Sequence, residues 1–198
     1  MTSLPFSQAC ENNKTFILDI LHRHLQQPSS VLEIGSGTGQ HAEYFASHLP
    51  HLTWQATELA ENIPLLDSRL KLATLPNLPE VLALDVTRGE WPSKKVGNIF
   101  SANTLHIMGA PAVRLFFEGV ARHLEPGGLL LVYGPFKYQG EYTSDSNASF
   151  DSWLKARDPV SGIRDFEVVN GYAITGGLEL LEDNAMPANN QMLVWRKQ

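Results

Sequence analysis

Val31-Leu32-Glu33-Ile34-Gly35-Ser36-Gly37-Thr38-Gly39-Gln40-His41-Ala42-Glu43-Tyr44-Phe45-Ala46 changes character twice. A short apolar run breaks into three alternating glycines, and apolar residues then resume at helical spacing, which reads as strand, tight loop and helix. Gly35, Gly37 and Gly39 let the backbone turn sharply and approach a ligand, while the following helix directs free N–H groups toward anionic atoms. Such turns also connect strands to helices where no ligand binds, so the flanking segments have to decide.

Working outward, Asn12 and Asn13 are plausible helix starters, and Phe16, Ile17, Ile20, Leu21 and Leu25 recur at helical spacing until Pro28. An N-terminal helix region is therefore expected within 1–29. Downstream the alternation continues, with strands at Leu52 to Thr57, Val81 to Leu84 and Asn98 to Ala102, and a helix at Ile63 to Leu72. Pro111 suits a first helical position, and Val113, Phe116, Phe117, Val120 and Leu124 form a buried stripe that stops at Pro126-Gly127-Gly128. Leu129 to Tyr133 is uniformly apolar, as befits a strand covered on both faces. The pattern predicts one α/β domain over 1–198, built on a mostly parallel sheet. Residues 134–160 break the alternation, being polar and aromatic with one weak helical stretch at Phe150 to Lys155, and are expected to form a lid or acceptor loop. Asp165 can cap a helix carrying Phe166, Val169, Tyr172 and Ala173 that exits at Gly176-Gly177, and strands at Leu178 to Glu182 and Gln191 to Trp195 follow.

Of the 198 residues 43% are hydrophobic, enough for one core, and the net charge of −6 with scattered basic residues gives a nucleic acid little to hold. The single cysteine, Cys10, excludes an intrachain disulfide and fits a reducing, cytoplasmic setting. No apolar run is long enough to cross a membrane, and the opening residues lack a signal-peptide pattern. The histidines show no metal-ligand spacing, so no metal is expected.

Ligands of an open α/β sheet bind at the carboxyl ends of its strands. An acid inside an apolar strand needs partners, and Glu33 is expected to accept from a ligand ammonium group, directly or through water, and to hold the loop N–H groups. Glu58 ends the next strand, where a carboxylate suits both ribose hydroxyls of NAD or of S-adenosylmethionine. Asp85 ends the third, placed to accept from an adenine amino group while Val86 offers its backbone N–H. Gln40 stands where a dinucleotide fingerprint needs glycine, which weakens the NAD reading.

Glu33-x-Gly35-x-Gly37-x-Gly39, Glu58, Asp85 and Leu124-Glu125-Pro126-Gly127-Gly128 resemble the motifs of class I S-adenosylmethionine-dependent methyltransferases over roughly residues 30–133. The chain is similar more closely to the methyltransferase-like 26 family, once a domain of unknown function. That likeness runs nearly end to end through Asn13, Gly37-Thr38-Gly39-Gln40-His41-Ala42, Asn103-Thr104-Leu105-His106-Ile107, Thr143-Ser144-Asp145-Ser146-Asn147, Phe150-Asp151, Gly162-Ile163-Arg164-Asp165 and Met186-Pro187-Ala188-Asn189-Asn190. Asn12 departs from the family pattern, which has a basic residue there. The resemblance implies a Rossmann-like, seven-stranded sheet with an antiparallel last strand, helices on both faces, and a cofactor site at Glu33, Gly35, Ser36, Gly37, Gly39, Glu58, Asp85, Val86 and Asn103.

Methyl transfer from a sulfonium is an in-line displacement in which alignment of the nucleophile supplies much of the rate. Asn103 and His106 follow the fourth strand, and His106 is the candidate for orienting or deprotonating an acceptor, although a lone histidine is often structural. The loop lacks the Asn/Asp-Pro-Pro-Tyr sequence of enzymes that methylate amines of DNA bases or protein glutamine. A small-molecule acceptor is expected in preference to a protein. Phe136, Tyr138, Tyr142, Phe150 and Trp153 are candidates to roof the site, or simply to pack the extra segment, and Ser144, Asp145, Asn147 and Asp151 are polar enough to bind an acceptor or to serve turns. The competing readings are a cofactor-binding protein without catalysis and, with less support, a nicotinamide oxidoreductase.

Overall fold

The computed structural model describes residues 4–89 and 91–198. Helix α1 (Gln8–His24) leads into β1 (Ser29–Ile34), α2 (Gln40–His48), β2 (Leu52–Glu58), α3 (Ile63–Ala73), β3 (Leu82–Ala83), β4 (Val96–Ala102), α4 (Ala110–His123) and β5 (Leu124–Gly134). Short strands β6 (Phe136–Tyr138) and β7 (Glu141–Tyr142), helix α5 (Asp145–Arg157) and strand β8 (Arg164–Asp165) form the next segment, and α6 (Phe166–Thr175), β9 (Leu178–Met186) and β10 (Asn190–Lys197) close the chain. The main sheet has seven strands in the order β3-β2-β1-β4-β5-β10-β9, and β7-β6-β8 form a small second sheet. Strands β1 to β5 pair in parallel, while β10 is antiparallel to both β5 and β9.

Period-two alternation divides the core between the two faces. In β5, Leu130 and Val132 join one cluster and Leu131 and Tyr133 the other; in β10, Leu193 and Trp195 oppose Met192 and Val194. Helices α1, α2 and α3 cover the first face through Leu21, Phe45 and Leu66, and α4 and α6 cover the second through Phe116 and Val169. Helices therefore lie on both faces, as expected. Among the described residues no helix is long and apolar enough to cross a membrane.

Several boundaries differ from the sequence expectation, each for a local reason. Helix α1 begins at Gln8 because Ser7 is its N-cap, its hydroxyl accepting from the Cys10 N–H. Asn13 is instead buried inside the helix and bonded to His41. Asp165 does occupy the N-cap position of α6, but its carboxylate accepts from Gly140 N–H and leaves the helix without a side-chain cap. The segment 134–160 is ordered as two short strands and a 13-residue helix. The buried side chains of α5 are Asn147, Asp151 and Leu154, so its inward face is mostly polar and carries little apolar periodicity.

The same alternation turns Glu33, flanked by Leu32 and Ile34 of the second cluster, toward the first face, where the Trp54 indole donates to its carboxylate at 2.8 Å. It is 2% exposed, and burial, opposed by the Trp54 and Ser36 hydrogen bonds, pushes its pKa up to about 7. The native state thus holds a proton that the unfolded chain releases near pH 4.3. Stability tied to this group is greatest below that value, declines as pH rises, and levels off above about 7. Compared with Glu33→Gln, the wild type is expected to lose on the order of 3 kcal/mol across this window in urea titrations. A stability difference independent of pH would contradict the assignment.

Candidate functional site

The strand order reverses between β1 and β4, and the loops leaving those strands face each other. Gly35 has φ +75°, and a Cβ there would collide with the Thr104 methyl, so the two loops interlock only because Gly35 lacks a side chain. Ser36 is tied to β2, its N–H donating to Thr57 carbonyl at 2.9 Å and its hydroxyl accepting from Thr57 N–H at 3.2 Å. The loop is held by Glu58, which accepts from Gly37 N–H at 2.8 Å, Leu59 N–H at 2.9 Å and the Asn62 amide at 3.3 Å. Holding loop N–H groups was expected of Glu33, which instead lies behind the loop against Trp54. Gly39, also left-handed, is the N-cap of α2, close against Leu66 and Leu70.

A cavity of about 920 Å³ opens over these loops. Gly35, Ser36, Gly37, Glu58, Asp85 and Val86 line one half, while Asn103, His106, Ile107, Met108, Asn147, Phe150 and Asn190 line the other. Glu33 and Gly39 do not reach its wall. Asp85 accepts from the Thr87 hydroxyl at 2.6 Å and the Thr87 N–H at 2.9 Å, and Arg88 lies 3.2 Å away. These partners, led by the Thr87 hydroxyl, hold its carboxyl below the usual range. The turn role and the site role are therefore compatible in one residue.

Two contributors were not legible as such. Gln40, read as a missing glycine and as one residue of the family-like stretch but given no contact, fastens the start of α1 to the glycine loop: its Oε1 accepts from Ser7 N–H at 2.5 Å and Thr38 hydroxyl at 3.0 Å, and its Nε2 donates to Glu11 at 2.6 Å. Arg69 donates to the carbonyls of Thr38 at 2.9 Å and Pro5 at 2.6 Å and to Glu43 at 2.9 Å. Ser7 and Cys10 thereby become part of the cavity wall.

The turn after β4 is clamped from one side. Arg164 donates to the carbonyls of Leu105 at 3.0 Å and Met108, Gly162 N–H to His106 carbonyl at 2.8 Å, and the Ser161 hydroxyl to Ile107 carbonyl at 3.2 Å. All four carbonyls from 105 to 108 are thus engaged by residues 161–164. That segment is anchored in turn by Asp151, 1% exposed, which accepts from Ile163 N–H at 2.6 Å, the Tyr142 hydroxyl at 2.7 Å and Lys155 at 2.5 Å. Burial pushes the Asp151 carboxyl up, but these three partners outweigh it and the net shift is downward. Upstream, Asn103 is left-handed at φ +59° and donates its N–H to Tyr133 carbonyl at 2.9 Å. His106 is 7% exposed, and burial, reinforced by the Arg164 charge, lowers its pKa to about 4. Its imidazole is neutral at physiological pH.

Of the five aromatic residues read as a possible roof, only Phe150 lines the cavity, its ring edge-on to His106 at 5.3 Å and stacked on Trp153 at 5.8 Å. Phe136 belongs to the core, Tyr138 stacks on Phe166 and donates to Asp183, and Tyr142 serves Asp151. Among the described residues no group of His, Cys, Asp and Glu side chains is arranged to hold a metal ion.

Residues 4–197 match the family described as "Protein of unknown function (DUF938)". The chain belongs to that family. Its fold is similar to an O-methyltransferase family protein from Burkholderia thailandensis, at a TM-score of 0.79 and 16% identity over 96% of this chain and 57% of the other. It is also similar to human N-acetylserotonin methyltransferase, solved with S-adenosylmethionine, at 0.79 and 15% over 96% and 53%. An O-methyltransferase family 2 protein from Planctomyces limnophilus in complex with apigenin gives 0.76 and 14% over 94% and 62%. At these identities the likeness establishes a methyltransferase-like fold, and this chain spans less than two-thirds of the length of each of those proteins.

The clamp makes a direct expectation. Asp151→Ala leaves Ile163 N–H and the Tyr142 hydroxyl without their acceptor and is expected to lower unfolding free energy by about 2–3 kcal/mol, with faster exchange of the Gly162 amide. Unchanged stability and unchanged exchange would mean that the turn stands without this anchor.

Proposed function

We propose that the protein is an S-adenosylmethionine-dependent methyltransferase acting on a small-molecule acceptor. The observation that carries this reading is the single cavity joining the glycine loop, Glu58 and Asp85 to the clamped turn bearing Asn103 and His106. The residues fit the cofactor: Gly37, left-handed and with open space where a Cβ would stand, lets a ligand approach the loop backbone, two carboxylates stand at successive strand ends, and Val86 adds an apolar wall. The end-to-end resemblance to the methyltransferase-like 26 family supports the same assignment. When bound, the cofactor supplies a methyl group activated on a sulfonium.

In this reading Glu58 accepts from the ribose hydroxyls with lone pairs beyond those used by Gly37 and Leu59, and Asp85 accepts from the adenine amino group. Glu33, buried and partnered by Trp54, supports the loop from behind. Asn103 marks the boundary between the two halves. His106, neutral at physiological pH, keeps a ring nitrogen able to accept a proton from the acceptor, and the clamp at 161–164 fixes its backbone while that happens.

Isothermal calorimetry tests the reading. S-Adenosylmethionine is expected to bind and NAD to bind far more weakly; Glu58→Ala should weaken the former by about 1.5–3 kcal/mol, whereas His106→Gln should leave it nearly unchanged. Preference for NAD, or unaltered affinity in Glu58→Ala, would contradict it.

A further inference from the structure

The half of the cavity beyond Asn103 is short of charge and rich in hydrogen-bond acceptors. Asn147, 5% exposed, donates through Nδ2 to the Thr143 hydroxyl at 2.8 Å and to Asn189 carbonyl at 2.9 Å. A carbonyl can only accept, so the orientation of this amide is fixed and its Oδ1 is the atom left over. Asn190 repeats the pattern, its Nδ2 donating to the carbonyls of Pro187 at 3.1 Å and Ala188 at 3.2 Å. Both residues line the cavity beside His106 and Phe150, and none of the side-chain hydrogen bonds among the described residues ends on either Oδ1 or on the His106 ring. Neither Oδ1 is sealed from the cavity, since Trp91 Nε1 is the one buried side-chain polar atom without a partner among the described residues, so both acceptors stand open to a donor that a ligand brings.

The nearby charges are already committed. The Arg164 guanidinium is held by the carbonyls of Leu105, Met108 and Val160, and Lys155 pairs with Asp151, whose carboxylate also serves Ile163 and Tyr142. Among the described residues a carboxylate or phosphate would meet no free cation in this half of the cavity, and an ammonium no free carboxylate. Ile107, Met108, Pro135 and Phe150 supply apolar wall.

We propose that the acceptor is an uncharged molecule bearing at least two hydroxyl groups on a flat apolar frame, one placed against His106 and another donating to the side-chain carbonyls of Asn147 and Asn190. The proposal rests on the methyltransferase reading. The first hydroxyl oxygen forms its bond to the methyl carbon as the methyl–sulfur bond breaks, sulfur keeps the electron pair, and the hydroxyl proton passes to His106 and then to solvent. A weakly basic imidazole suits an acidic hydroxyl, such as one on an aromatic ring lying against Phe150.

The test incubates the full chain with radiolabelled S-adenosylmethionine and a matched pair of probes, catechol and its carboxylated analogue protocatechuate. In parallel it uses the neutral, anionic, cationic and macromolecular fractions of a microbial extract. Label is expected in catechol or the neutral fraction, about tenfold or more above protocatechuate and every other fraction. Asn190→Ala should raise the KM of the labelled acceptor about tenfold with cofactor affinity unchanged, and Asn190→Asp, which retains an acceptor oxygen, should recover part of that loss. Label confined to protocatechuate or to a charged or macromolecular fraction overturns the proposal and spares the methyltransferase reading. A protein that binds the cofactor yet labels nothing also overturns it. Failure to bind the cofactor at all removes the reading beneath it.

Discussion

Gly35 and Thr104 occupy the same small volume at the point where the strand order reverses, and the site depends on that interlock. With any side chain at position 35 the loop leaving β1 could not lie against the turn leaving β4, and the two halves of the cavity would separate. The contact is reinforced from within the sheet, because the Ser101 hydroxyl donates to Ile34 carbonyl at 2.8 Å and shares a hydrogen bond with the Thr104 hydroxyl. Glu58 secures one side of the junction through Gly37, and Arg164 secures the other through Leu105 and Met108. Each half is thus positioned by a charged side chain that spends its hydrogen bonds on backbone. Rigid support of this kind allows a site to align reactants with little reorganisation.

The apolar alternation was sufficient to read the strands of a mostly parallel sheet, the helices α2, α3 and α4, and the strand ends that carry Glu58 and Asp85, while the antiparallel last strand came from the family resemblance. Period-two and 3.6-residue patterns report burial of apolar side chains, and in this part of the chain apolar burial drives element formation. Glycine spacing likewise marked the loop. What the pattern could not convey was the division of labour between acids: Glu33 and Glu58 are both carboxylates beside the glycines, but only strand register decides which reaches the loop N–H groups. Glu33 faces Trp54 beneath α1 and α2, whereas Glu58 stands past the end of that packed face.

The segment from 134 to 165 was hardest to read because its burial is polar. Asn147 and Asp151 point inward from α5 at a spacing that would mark a buried stripe had they been leucines. Beside the local partners Thr143, Tyr142 and Lys155, each also bonds a backbone group further along the chain, at Asn189 and Ile163, and nothing local signals those pairings. The expectation of a lid or acceptor loop arose from that absence of apolar pattern; the folded segment braces the turn bearing His106 and contributes Asn147 and Phe150 to the cavity wall. Gln40 illustrates the same limit: the sequence marks it as an interrupted glycine motif, while its hydrogen bonds to Ser7, Thr38 and Glu11 draw α1 over the site.

The central claim is that one cavity holds a cofactor against Glu58 and Asp85 and an acceptor against His106. A crystal structure of the protein with S-adenosylhomocysteine tests it most directly. The expected result is adenosine between Glu58 and Val86, with the sulfur directed toward Asn103 and the space beside His106 left open for an acceptor. Binding of that molecule elsewhere on the protein, or with its sulfur turned away from Asn103 and His106, would contradict the account.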